Sequence, residues 1–186
     1  MRIIAGEKRS RRLLTLEGSD TRPTADRVKE ALFSILQPRL YGARVLDLYA
    51  GSGALALEAL SRGADSAVLC DISPAACAVI RRNIEALEYG NRARLVSRGD
   101  SAAMALLEKE GASFDLIFLD PPYRMDMSPV CRRLCEGGLL KADGLIVAEH
   151  RKETPPRLGD WAVLRDKRTY GITGLSFLAR PCGGEE

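Results

Sequence analysis

Val45-Leu46-Asp47-Leu48 running into Tyr49-Ala50-Gly51-Ser52-Gly53 constrains this chain most, because an apolar run that breaks into two glycines reads as a buried strand entering a tight turn. Ala54 to Leu60 then has the composition of a helix starting at that turn. Strand, glycine turn and helix N-terminus together suit a ligand, since the backbone can be approached closely there and its N–H groups point outward. Gly51, Gly53 and Ala56 fit the G-x-G-x-x-G/A spacing, and Asp71 stands about 20 residues beyond Gly51, as a nicotinamide-binding fold also requires. Asp47 separates the readings. A carboxylate at the strand end would repel a pyrophosphate and attract a sulfonium and an ammonium, so the turn favours S-adenosylmethionine.

Further strands end in the same way. Ser66 to Cys70 runs into Asp71, followed by a helix opened by Ser73-Pro74 and continuing to about Leu87, with Ala78, Val79, Ile84 and Leu87 among its apolar positions. Arg94 to Ser97 leads to Gly99-Asp100-Ser101, and Phe114 to Leu119 leads to Asp120-Pro121-Pro122-Tyr123. Gly144 to Glu149 gives a fifth strand, and Trp161–Leu164 with Gly174–Ala179, having no helix between them, read as an antiparallel pair. The alternation predicts an α/β Rossmann-like fold with a mostly parallel seven-stranded sheet, helices on both faces and ligands at the carboxyl ends of the strands. There Asp71 can accept from both ribose hydroxyls and Asp100 from an adenine amino group, although an Asp before a helix also serves as a plain N-cap.

The chain of 186 residues, 46% apolar and 28% charged, has the size and balance of a single domain over residues 1–186, with an arm at 1–18 and a catalytic fold at 24–180. Its five cysteines, Cys70, Cys77, Cys131, Cys135 and Cys182, include no C-x-x-C pair, which points to a reduced cytoplasmic protein without a disulfide framework or zinc site. No apolar run approaches a membrane span, and the first residues are polar and basic where a signal peptide is apolar. The net charge of +3 is unevenly placed: Arg2, Lys8, Arg9, Arg11 and Arg12 oppose only Glu7. Short β-leaning runs on either side of a Gly-Glu-Lys-Arg-Ser turn predict a hairpin carrying those cations, suited to a phosphate backbone or serving as a solvated tail. Thr24 is the expected N-cap of a helix whose apolar face is Val28, Ala31, Leu32, Ile35 and Leu36, and Pro38 ends it. Arg22, Arg27 and Lys29 near that cap read as solvated charge, with an anion contact as the alternative.

Asp120-Pro121-Pro122-Tyr123 carries the chemistry. Neither proline can continue a ladder and Pro122 keeps Pro121 extended, so the loop is stiff. It presents the Asp120 carboxylate and the Pro121 carbonyl as two acceptors, and Tyr123 as a stacking face for a planar base. A base amino group is a poor nucleophile because its lone pair is delocalised. Two acceptors gripping its N–H groups turn the lone pair toward a sulfonium methyl, which needs positioning and electrostatics but no metal. Either Asp120 or solvent takes the proton. His150, the only histidine, has no nearby nucleophile or ligand partner in the sequence and reads as structural.

In these motifs the chain resembles the bacterial 16S ribosomal RNA guanine-N2 methyltransferases of the RsmD type, from Arg2 to about Ala179. The matching pieces are MRIIAGEKRSRRL, TRPTADRVKEALFSIL, VLDLYAGSGALALEALSRGA, Gly99-Asp100, LDPPY, AEHR and the late Tyr170-Gly171. The resemblance implies a class I fold in which Asp47, Gly51 and Gly53 line the methionine end, Asp71 holds the ribose, Asp100 the adenine, and Asp120, Pro121, Pro122 and Tyr123 the target amino group. Tyr49, Ala50, Ser52, Ile72, Ser101 and Thr24 complete the expected cofactor set, and Arg2, Lys8, Arg9, Arg11, Arg12 and Arg22 the RNA-binding set. It also implies S-adenosyl-L-methionine as methyl donor, S-adenosyl-L-homocysteine as product, and 16S RNA in the assembling 30S subunit as partner; a monomer is expected separately from the resemblance. One departure stands out: the acid after the second strand is commonly Glu, and Asp71 is one methylene shorter. A DNA amino-methyltransferase shares the loop but needs a larger recognition region than this arm, and a nucleotide-binding module without methyl transfer is disfavoured by Asp47.

Overall fold

A computed structural model describes residues 1–16, 23–121 and 125–181, without the side chains of residues 23–26. Arg22, Pro122, Tyr123 and Cys182, all singled out above, lie outside the described residues, as does the side chain of Thr24.

Seven strands form one sheet: β1 (Arg44–Asp47), β2 (Ser66–Cys70), β3 (Ala93–Val96), β4 (Phe114–Leu119), β5 (Leu140–Arg151), β6 (Val163–Tyr170) and β7 (Thr173–Ala179). Their order is β3-β2-β1-β4-β5-β7-β6, the first five parallel and β7 antiparallel to both neighbours, as the alternating pattern predicts. Helices α1 (Pro23–Leu36), α2 (Ala54–Ser61) and α3 (Pro74–Ala86) cover one face, and α4 (Asp100–Lys109) and α5 (Ser128–Glu136) the other. Because both faces are covered, the central strands are apolar on both sides: Val45 and Leu116 point into one core, Leu46 and Ile117 into the other.

Local chemistry sets the helix ends. Ser73 caps α3 by accepting from the Ala76 N–H at 3.4 Å, with Pro74 at the first helical position. The buried face of α3 is Ala76, Cys77, Ile80, Asn83 and Ile84; of the expected apolar positions Ile84 and Leu87 are buried, Val79 is half-buried and Ala78 is exposed. Helix α1 begins at Pro23, which puts Thr24 in its first turn and not at the cap. It ends at Leu36, and Pro38 sits in a short 3-10 turn over Gln37–Arg39.

Strand β6 runs from Val163 to Tyr170, where the expected strand was Trp161–Leu164. Its Arg165-Asp166-Lys167-Arg168 segment hides it from a hydrophobicity pattern, because an edge strand exposes both faces and edge charges discourage further pairing. Strand β5 begins at Leu140, four residues early, with an irregularity before Leu145 rejoins the ladder.

The arm folds as a hairpin-like turn with one antiparallel bridge, Arg2 to Arg12, and it is docked. Ile3 and Leu13 are in the core. Glu58, fully buried in α2, accepts from the Ile4 and Ala5 N–H groups at 2.8 and 3.0 Å and pairs with Lys29 at 3.3 Å and Arg62 at 2.8 Å. Lys29, read above as solvated, is buried and also donates to the Arg2 carbonyl at 2.6 Å. A lysine on the packed side of a helix is retained only when such partners satisfy it.

Candidate active site

The carboxyl edge of the parallel strands gathers the acids. Asp47 closes β1, Asp71 and Asp120 each follow a strand by one residue, and Glu149 stands in β5 just past its last pairing with β4. Between them lies a cleft of about 760 Å³, lined by Tyr49, Gly51, Asp71, Ile72, Asp100, Asp120 and Pro121 among others. Seven residues of the expected site therefore share one cavity. Asp47 lies buried beneath it; Ser52 and Gly53 belong to the turn that frames it. Ser101 turns away, its hydroxyl and carbonyl taking Arg133 at 3.2 and 3.3 Å.

The turn is built around glycine for two different reasons. Gly51 has φ of +56° with nothing within 4 Å of where a Cβ would stand, so only the backbone conformation demands it and the space before it is open. Gly53 has φ of +79°, and a Cβ there would meet Leu69 at 2.8 Å and Leu57 at 3.2 Å. It permits α2 to pack against β2 and does not clear a path for a ligand. Asp71 explains its own length. Its two oxygens accept from the Gly51 N–H at 2.9 Å and the Ser73 N–H at 2.8 Å, tying the turn to the start of α3 while the carboxylate still faces the cleft.

Asp47 is 1% exposed. One oxygen accepts from the Ala56 N–H at 3.4 Å, in the first turn of α2, and the other, Oδ1, has no partner. Burial, with help from the nearby Asp71 charge, pushes its carboxyl up to about 7. Asp120 opens into the cleft, and desolvation by the surrounding walls together with Glu149 and Asp47 holds its carboxyl well above the usual carboxylate range. Asp100 is the first residue of α4, with Gly99 at the cap, so it is not the N-cap that the bland reading allowed. Its carboxylate accepts from the Tyr49 hydroxyl at 2.7 Å and the Ser101 N–H at 2.6 Å. Burial and that acid raise the Tyr49 hydroxyl above its ordinary range. Ile72 is 77% exposed at the lip, and a Cβ on Gly99 would meet its Cδ1 at 3.2 Å, so Ile72 and Gly99 form one wall.

Glu149, Met125 and Arg98 also line the cleft and were missed as site residues. Glu149 was legible as the acid ending the fifth strand. Met125 and Arg98 carry no sequence signal, since only the folded loops bring them to the rim.

The residues fit a cationic ligand: four acids face the cleft, Arg98 is the one cation among the described lining residues, and a buried carboxylate oxygen below is unsatisfied. His150 is not among the residues lining the cleft. It is buried with Nδ1 at 2.6 Å from the Arg151 carbonyl and Nε2 at 2.8 Å from Ser176 Oγ, pinning β5 to β7. Among the described residues no group of acids, cysteines or histidines converges as a metal site, and no helix is long and apolar enough to cross a membrane. Cys70, Cys77, Cys131 and Cys135 are buried free thiols.

Of the expected RNA-binding cations, Arg2, Arg9, Arg11 and Arg12 are exposed. Lys8 pairs with Glu88 at 2.8 Å, and Arg11 also donates to the Ala86 carbonyl at 2.9 Å.

This sheet order, with its glycine turn and acid-lined carboxyl edge, is the class I S-adenosylmethionine-dependent methyltransferase fold. The chain is similar over 97% of its length, with 34% identity and a TM-score of 0.81, to 97% of a solved structure described as "Putative methyltransferase yhhF from Escherichia coli". Among curated proteins, Ribosomal RNA small subunit methyltransferase D of Escherichia coli K12 is 39% identical over 188 residues, covering 100% of this chain and 92% of that one. The protein of that name from Haemophilus influenzae is 34% identical over 171 residues, covering 91% of this chain and 89% of its own. The chain belongs to the family described as Conserved hypothetical protein 95, whose model matches residues 1–179, and the resemblance to the RsmD type is borne out.

Proposed function

We propose that this protein transfers a methyl group from S-adenosylmethionine to the N2 amino group of a guanine in small-subunit ribosomal RNA, as a single catalytic unit that includes the arm. The observation that carries the reading is the acidic cleft, lined by Asp120 among others, with the unpartnered Asp47 Oδ1 buried nearby. The names of the relatives support RNA as the acceptor. The RsmD resemblance supports N2 of guanine.

When bound, S-adenosylmethionine supplies a methyl group made electrophilic by a positively charged sulfur. Asp71 would accept from the ribose hydroxyls with the lone pairs that the Gly51 and Ser73 amides leave open. Asp100, held by Tyr49, would accept from the adenine amino group, with Ile72 and Gly99 along one face of the ring. Gly51 leaves room for the methionine end above Asp47. Asp120 and the Pro121 carbonyl would grip the two amino hydrogens and aim the lone pair. The crowding that makes Asp120 reluctant to ionise also makes it a good acceptor for charge developing on the nitrogen. A cation beside Asp47 and Asp120 favours their ionised forms. The exposed Arg2, Arg9, Arg11 and Arg12 suit an RNA backbone.

Labelled S-adenosylmethionine incubated with 30S particles, naked 16S RNA and duplex DNA, followed by mapping of the methyl group, tests this reading. A methylated guanine N2 in the RNA is expected; label on DNA adenine or cytosine instead would overturn it. Asp120→Asn keeps the volume and one acceptor but loses the charge, so single-turnover methylation should fall on the order of 100-fold while cofactor binding survives.

A further inference from the structure

Asn83 lies in the last turn of α3 and is 1% exposed, a place where an amide side chain is costly unless its polar atoms are bonded. All are. Its Oδ1 accepts from the Leu14 N–H at 2.8 Å, and its Nδ2 donates to the Leu14 carbonyl at 3.0 Å and to the Ser52 carbonyl at 2.9 Å. The first two bonds offer Leu14 what a neighbouring strand would. The third reaches the residue between Gly51 and Gly53. The Ser52 carbonyl shares a peptide plane with the Gly53 N–H, which donates to the Ala50 carbonyl at 2.6 Å. That plane is therefore held from both sides, once by the turn itself and once by Asn83. Leu14 lies in the arm two residues after Arg12, so one side chain joins the segment of the exposed arginines to the peptide that shapes the cofactor turn.

We infer that Asn83 is a positioning residue through which the arm and the glycine turn constrain one another, so that RNA on the arm and cofactor at the turn bind interdependently. The inference rests on the methyltransferase reading above. Whichever ligand arrives first restrains the Leu14–Asn83–Ser52 link further, and the second then loses less conformational freedom on binding. By linkage, each ligand must tighten the other by the same factor.

Calorimetric binding of S-adenosylhomocysteine to the full chain, with and without a 16S RNA transcript, reads that factor directly. The wild type should show at least about a 5-fold tightening in each direction. Asn83→Asp is nearly isosteric, loses both donations and sets a charge against two carbonyls, so the factor should fall to about 1. His150→Asn disturbs an equally buried polar group away from the turn; it should lower the Tm and leave the factor intact. If Asn83→Asp does not fold, amide exchange in the wild type decides: S-adenosylhomocysteine should slow exchange of the Leu14 N–H, and unchanged exchange overturns the inference. Independent binding in the wild type, or coupling that survives Asn83→Asp, also overturns it while leaving the methyltransferase reading standing. A wild type that binds no S-adenosylhomocysteine brings down both.

Discussion

Asp47 holds two positions at once. One carboxylate oxygen meets the first turn of α2, where a negative charge is favourable, and the other is left without a hydrogen-bond partner. With its carboxyl near 7 and an unfolded value near 3.8, the folded protein holds a proton that the unfolded chain releases. Stability is therefore greatest at low pH and is lost as pH rises toward 7, by on the order of 4 kcal/mol in the unliganded protein if this group acted alone. Denaturant melts between pH 4.5 and 8 should show a shallower decline in Asp47→Asn than in the wild type, what remains belonging to Asp120, whose carboxyl is raised as well. Parallel declines in both proteins would assign the effect to other groups. Asp47 and Asp71 were legible because each ends an apolar run, and Asp120 because two prolines follow it. The sequence did not show that Asp71 spends a lone pair on the Gly51 N–H, a contact between the ends of two strands whose adjacency exists only in the folded sheet.

Among the elements, the parallel strands were read most closely, since burial on both faces leaves a continuous apolar run that no loop shares. Strand β6 was read worst, because its composition answers to solvent and to edge protection. Lys29, Glu58 and Asn83 were taken for surface or passed over, and no periodicity marks a polar group whose partners lie 27 to 69 residues away. The β5–β7 seam supplies a direct test of packing between neighbouring strands. Gly174 pairs with His150 across that seam, and a Cβ at 174 would stand 2.5 Å from His150 Cε1 and 2.8 Å from Nδ1. Since His150 is bonded at both nitrogens, it cannot swing away freely. Gly174→Ala should destabilise by about 1–3 kcal/mol in denaturant titration, and a shift below half that range would show the imidazole to be less constrained than its bonds suggest.

For the molecule as a whole, Glu58 is the junction of arm, α1 and α2, taking two arm amides and two cations. Glu58→Ala leaves Lys29 buried without its carboxylate and frees the Ile4 and Ala5 amides, which should cost about 3–5 kcal/mol. Limited proteolysis should then cut the arm first. Arm protection equal to wild type would mean that Ile3 and Leu13 alone hold it in place.

The position of β7 between β5 and β6 has a consequence for synthesis. Both neighbours leave the ribosome before the strand that must join them, so until residue 179 is out, the nascent sheet carries two open edges separated by a strand-wide gap. Folding from the first residue onward can complete the parallel half but must wait at this gap, and a ribosome stalled short of Thr173 holds a partly built sheet ready to recruit a strand from another chain. The dense charge of β6 guards one of those two edges during that interval.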